Sequence, residues 1–151
     1  MSGQFEQLRN QIKQNQIDAL IGFPVGRILD KLIEKYTLGH IVEVWHVNGE
    51  EDFFYFPTKD MKKLSKEYAE RIPNYSTSIY AASQLLEHLS NWYISKDETL
   101  GYQAKIIEIA DINNRLPHFK TFPEAVVKAC LYELILNHII IDELTKRDTR
   151  S

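Results

Sequence analysis

Five histidines, one cysteine and a scatter of hydroxyl residues are the groups that could attack, move a proton or hold a metal in this chain of 151 residues. Their spacing supports none of those roles. No two of His40, His46, His88, His118 and His138 stand at the i, i+4 spacing of a helical ligand pair or the alternate spacing of a strand pair, and no HExxH occurs. Cys130 has no second cysteine to pair with and falls in an apolar helical run, the setting of a small buried hydrophobe. A reactive thiol wants a basic, exposed one. Ser76 and Thr77 lack a G-x-S-x-G elbow and read as helix caps, whose side-chain oxygens satisfy an orphan amide. The expectation is a protein with no catalytic residue, no metal and no cofactor.

One constellation does point to binding. In the loop DINNRLPHFK, residues 111–120, Arg115, His118 and Lys120 gather positive charge just before Thr121, which opens a helix. A helix N-terminus presents free amides and a partial positive charge, so an added guanidinium makes a site for an anion or phosphate. Trp92 and Tyr93 open the adjoining hairpin and could offer a face on which a base stacks. Arg27, beside the GFPVG break, is a second candidate anion contact. The plainer alternative is a solvated loop with a salt-bridging Arg, and aromatics spent on packing.

Length and composition bound what can surround such a site. A chain of this size forms one domain and buries roughly two thirds of its unfolded surface. Hydrophobic residues make up 44%, charged residues 26% and aromatic residues 11%, enough buried area to oppose chain entropy. A net charge of −3 argues against duplex nucleic acid as a partner, since phosphate neutralisation needs a basic face. The opening MSGQFEQLRNQIKQNQ is polar and does not read as a secretion signal. The longest apolar run, residues 131–141, is broken by Glu133, Asn137 and His138, so no membrane span is expected. A cytoplasmic protein is the expectation.

The elements that must position the candidate residues follow from periodicity and punctuation. Phe5, Leu8 and Ile12 mark one face of an N-terminal helix reaching about Leu20, ended by Gly22, Pro24 and Gly26. A second helix runs from Arg27 to Tyr36, with Ile28, Leu29, Leu32 and Ile33 facing the core and Asp30 and Glu34 forming a spaced pair with Lys31 and Lys35. Alternation over 41–48, Asn48-Gly49 and the return strand 52–57 predict a hairpin. Thr58 is expected to cap a helix to Arg71 carrying Met61, Leu64 and Tyr68 inward, and a further helix covers 77–90. Strands 92–95 and 102–110 form a second hairpin. Thr121 and Glu124 make a capping box for the last helix, 122–139, apolar nearly all round and therefore central or packed on a partner chain. The expected fold is α+β, a single antiparallel sheet between helical layers, with Trp45 and Ile106 mostly buried.

Four segments in this order resemble the phage ABA-sandwich domain family: IDALIGFPVG, the Trp-bearing hairpin VEVWHVNGEEDFFYFP, the P-x-YST-x-I-x-A-A start at Pro73–Ala82, and T-x-PEA at Thr121–Ala125. The match covers most of residues 17–140. The chain departs from the family in having Ser78 where an acidic residue commonly follows YST, and in the added segment 58–72. The resemblance implies one ABA-sandwich-like domain over 1–151 with a helical N-terminal extension. It also implies a phage or prophage origin, and so the host cytoplasm, without implying an activity. Three functions compete on these terms. The first is a sponge that sequesters a small anionic host immune signal of nucleotide type, such as a cyclic nucleotide. The second is an inhibitor or adaptor that binds a host defence protein, and the third a nucleotide hydrolase. The Arg115–Thr121 arrangement favours the first, and the apolar last helix favours a homo-oligomer.

Overall fold

A computed structural model describes residues 3–14, 16–64, 66–89, 91–106 and 116–148, those from 138 onward by their backbone alone. The chain is α+β with antiparallel sheets. Three short helices open it: α1 (Gln4–Lys13), α2 (Asp18–Ile21) and α3 (Arg27–Leu32). The expected N-terminal helix is thus two helices, with Phe5, Leu8 and Ile12 of the first and Leu20 of the second buried. α3 runs on into a π-turn, Ile33–Thr37, in which the Leu38 amide reaches back to the Ile33 carbonyl.

β1 (Ile41–Val47) and β2 (Glu50–Phe56) form the expected hairpin, and Asn48 and Gly49 both take the positive φ that a two-residue turn of this hand needs. Val42, Phe53 and Tyr55 pack toward the core. Trp45 lies on the opposite face, mostly buried as expected, stacked on Phe54 and edge-on to Phe56. Thr58 does cap a helix, accepting from the Met61 amide, but α4 (Lys59–Leu64) is one short helix followed by a 3₁₀ turn. The chain then extends into β3 (Glu70–Arg71), which pairs with β2. Met61, Leu64 and Tyr68 are exposed. Pairing to an open strand edge outweighs continuation of a helix that has nothing to pack on.

α5 (Ile79–Glu87) is capped by Ser78, whose hydroxyl accepts from the Ala81 amide; neither Ser76 nor Thr77 caps it. β4 (Trp92–Asp97) and β5 (Gly101–Ile106) form a second antiparallel pair, separate from the first sheet, so the expected single sheet is two. Residues 107–110, the expected end of β5, lie outside the described residues. Phe119 bridges to Tyr102 through a reciprocal pair of main-chain hydrogen bonds, both 2.7 Å.

The long α6 (Phe122–Asp148) passes through the middle, touching α1, α2, the π-turn, α5 and β5. Its residues Ala125–Glu133 and Ile135 are all buried, Cys130 among them. An apolar helix face is worth roughly 1.5–3 kcal/mol per fully buried aliphatic side chain, and this chain covers that surface by itself. The all-round apolarity of α6 is therefore met within one molecule over its described side chains, and no partner is required to explain it.

Candidate functional site

Two features draw on the π-turn. The first ties it to the segment before α5. Asp30, 1% exposed, accepts from the Ser76 amide at 2.8 Å and from the Arg27 guanidinium at 3.2 Å. The Ser76 hydroxyl is bonded to the amide and carbonyl of Gly26. Arg27 also donates to Asn74 and, through Nε and a terminal nitrogen, to Asp52 Oδ1 at 3.0 and 2.9 Å; Asp52 Oδ2 accepts from Arg71 at 2.6 Å. One turn on, Glu34 is fully buried, accepting from the Tyr75 hydroxyl at 2.8 Å and lying 2.6 Å from His40 Nδ1. His40 stacks on Tyr55, whose hydroxyl donates to Glu70. Asp30 and Glu34, which the sequence pairs with Lys31 and Lys35, are instead the anchors of a latch. Tyr75 and Ser76 close it.

The electrostatics follow from burial. Desolvation pushes the Asp30 carboxyl up despite its bonds to Ser76 and Arg27. Burial also acts to raise Asp52, but the Phe53 amide and the Arg71 and Arg27 guanidiniums together outweigh it and hold the carboxyl low. Burial and the Glu34 carboxylate push the Tyr75 hydroxyl well above its ordinary value of 10.0. A folded-state pKa raised above the unfolded one gives stability that is full below the unfolded value and is lost as pH rises past it. Tyr75 therefore makes the fold alkali-sensitive above about pH 10. Tyr75→Phe should lose about 1–2 kcal/mol at pH 7 through the missing bond to Glu34, and should show a shallower decline in urea midpoint between pH 9 and 11 than the parent.

Of the residues expected to bind an anion, the described ones do not form one cluster. Arg27 is spent on the latch. Arg115 lies outside the described residues. Trp92 and Tyr93 are exposed and pair with Ile106 and Lys105 at one end of the second hairpin, whereas the 118–121 turn sits beside Tyr102 at the other. Four residues of strand separate the two, about 13 Å. His118 is half-buried near the Asp97 carboxylate, itself held low by the Leu100 and Thr99 amides and secondarily by the His118 charge; Lys120 and Thr121 are exposed. The first turn of α6 is also self-supplied. Pro123 has no amide hydrogen, the Glu124 amide donates to Thr121 Oγ1, and the Ala125 amide donates to the Thr121 carbonyl. Glu124 itself pairs with the buried Lys128, which reaches the Ile21 carbonyl and lies 5.0 Å from the Phe119 ring centroid.

The second is a part-open cavity of about 270 Å³ that Thr37 of the π-turn helps to line. Thr37, His88, Leu89, Ile106, Cys130, Glu133, Leu134 and Asn137 line it, drawn from the π-turn, the end of α5, β5 and α6. The Thr37 hydroxyl is buried and has no hydrogen-bond partner. Glu133 is 5% exposed. Among the described residues there is no cluster of His, Cys, Asp and Glu suited to a metal, and no helix long and apolar enough to cross a membrane.

Comparison of the chain with protein-family models, curated proteins and solved structures returned no match. Of the cavity, one signal was available in sequence: Glu133 and Asn137 interrupt an otherwise apolar face of α6, and a polar residue on a central helix needs a partner or a ligand.

Proposed function

We propose that this protein is a non-enzymatic binder whose small ligand occupies the cavity between the π-turn, α5, β5 and α6. One observation carries the reading. The Thr37 hydroxyl is buried without a partner on a residue lining that cavity. An unpaired buried polar group costs about 1–3 kcal/mol, which a ligand that bonds it recovers. Pockets for drug-sized ligands run to roughly 300–1,000 Å³, so this one suits a smaller molecule. Sequestration of a host signal in the host cytoplasm by a phage-type accessory protein fits such capture, since holding a ligand needs no acid, base or nucleophile.

An anionic nucleotide ligand is less well served. Among the described residues no Lys or Arg lines the cavity, and Arg115 falls outside the described residues. The alternative of an inhibitor or adaptor acting by protein contact, or of a homo-oligomer, is supported by exposed apolar side chains. Leu64 and Tyr68 stand out beside β3, and Trp92 and Tyr93 on β4.

Native mass spectrometry of the full chain purified from its expression host tests the cavity. A stoichiometric small-molecule adduct is expected in the parent and none in Leu134→Trp, whose indole fills the space. A ligand at a hundred times its dissociation constant should also raise stability by about 2.7 kcal/mol in the parent alone. Adduct-free parent protein whose stability the supplied ligand leaves equal to that of the variant would remove the reading.

A further inference from the structure

We infer that the cavity takes a neutral heterocycle of the nucleobase class, with a hydrogen-bond donor beside an acceptor on one edge as in adenine; this rests on the cavity being the ligand site. Glu133 and Cys130, on the wall, already have interactions of their own. The other polar side chains there are Thr37, Asn137 and His88. The Thr37 hydroxyl is buried and unpaired, Asn137 is half-buried and His88 is exposed. Each of the three both donates and accepts, His88 in its neutral form. A ligand that answers them must itself carry donors and acceptors together.

The Asn137 amide narrows the class. It presents an N–H beside a carbonyl, and the edge that meets both at once has an acceptor beside a donor; the N7 and 6-amino group of adenine are such a pair. The Thr37 hydroxyl turns to donate or accept, and its burial favours any ligand that bonds it. Leu89, Ile106 and Leu134 supply aliphatic surface for the flat faces of a ring. An aliphatic alcohol would cover the same wall and pair Thr37, but would leave the Asn137 amide half answered. The volume of about 270 Å³ lies below the roughly 300–1,000 Å³ of drug-sized pockets and suits one fused ring system. Because the cavity is part-open, a substituent on that ring has a path to water.

The test titrates three probes into the full chain at pH 8: adenine, purine, which lacks the amino donor, and cyclohexanol, which has a hydroxyl and no paired edge. Binding is followed by the methyl resonances of Ile106 and Leu134. Adenine should bind at one site about tenfold more tightly than purine, the scale of a bidentate amide pair, with cyclohexanol weakest. Asn137→Leu should bring adenine to the purine level. Should that variant fail to fold, Asn137→Asp, which keeps the shape and loses the amide donors, should do the same. Adenosine monophosphate is the fourth probe. If it matches adenine, the ligand is a nucleotide whose phosphate stays in water; if adenine alone binds, the ligand is the free base, and the edge pairing holds in both cases. Purine binding as tightly as adenine, or cyclohexanol more tightly than either, overturns the heterocycle assignment and leaves the cavity as a ligand site. Failure of every probe to shift the two methyl groups overturns both.

Discussion

Gly101→Ala should destabilise the protein by about 3–5 kcal/mol, a cost in the exceptional range for a single methyl group. Two independent causes add. Gly101 sits at φ +101°, where an L side chain is strained, and strain of this kind costs of order 1–3 kcal/mol. A Cβ there would also lie 2.1 Å from the Phe119 carbonyl oxygen and 2.9 Å from its carbon. Those atoms are main chain, and they cannot retreat freely. Phe119 exchanges both of its main-chain bonds with Tyr102, and its ring lies under Lys128. Relief of the clash therefore means opening the bridge that ties the start of α6 to β5. Urea unfolding followed by circular dichroism should show a lower midpoint at unchanged slope. A shift equivalent to less than 1 kcal/mol would mean that the close approach of Gly101 to Phe119 does not exist in solution.

Arg27→Ala should cost about 2–4 kcal/mol, below the 3–5 kcal/mol typical of breaking a fully buried pair because the guanidinium keeps some access to water. The loss is of geometry as much as of charge. The planar fork reaches Asp52, Asp30 and Asn74 at once, from one side chain 26% exposed onto a carboxylate that is 1% exposed. Removal leaves Asp30 buried with only its bonding to Ser76, so its carboxyl, already raised by burial, should rise further. Asp30→Asn in the same background should recover part of the loss, because the group that remains is then neutral. Arg27→Lys should fall between the two, keeping the charge and losing the fork. Chemical denaturation of the single and double variants measures all three. Equal stability of Arg27→Ala and the parent would show that the latch does not hold the segment before α5.

Local rules were enough for some of this architecture. Asn48-Gly49 dictated its hairpin because two positive φ angles in succession admit few other residues. The central α6 was visible because a helix apolar on every side must be enclosed, and Thr121 caps it as expected. Cys130 is buried for the same reason. The latch was not visible. Asp30 and Ser76 are separated by 46 residues and Glu34 and Tyr75 by 41. Seen alone, an acid four residues from another acid among lysines looks like a solvated helix face. Nor could short-range chemistry choose among Ser76, Thr77 and Ser78 as the cap of α5, since all three carry the required oxygen; the choice was made by Asp30 and Gly26 taking Ser76. Over 58–72, helix propensity was overruled by an unpaired edge of β2. Trp92 and Tyr93 do not join His118, Lys120 and Thr121, because the second hairpin carries its aromatic end away from the 118–121 turn.

The π-turn at Ile33–Thr37 holds one residue more than an α-helical turn would, and that surplus makes chain length here as binding as residue identity. Glu34 serves the latch and Thr37 the cavity, although three residues apart in an ordinary helix would set them on the same side. Deleting any one residue of the five would let the helix close to its regular repeat and turn everything beyond the deletion by about 100° relative to α3. Glu34 and Thr37 could not then both keep their stations. Exchange of an exposed residue such as Lys35 should be tolerated, whereas loss of that residue should not. At Lys35 a three-nucleotide deletion should be far more damaging than a missense change at the same codon.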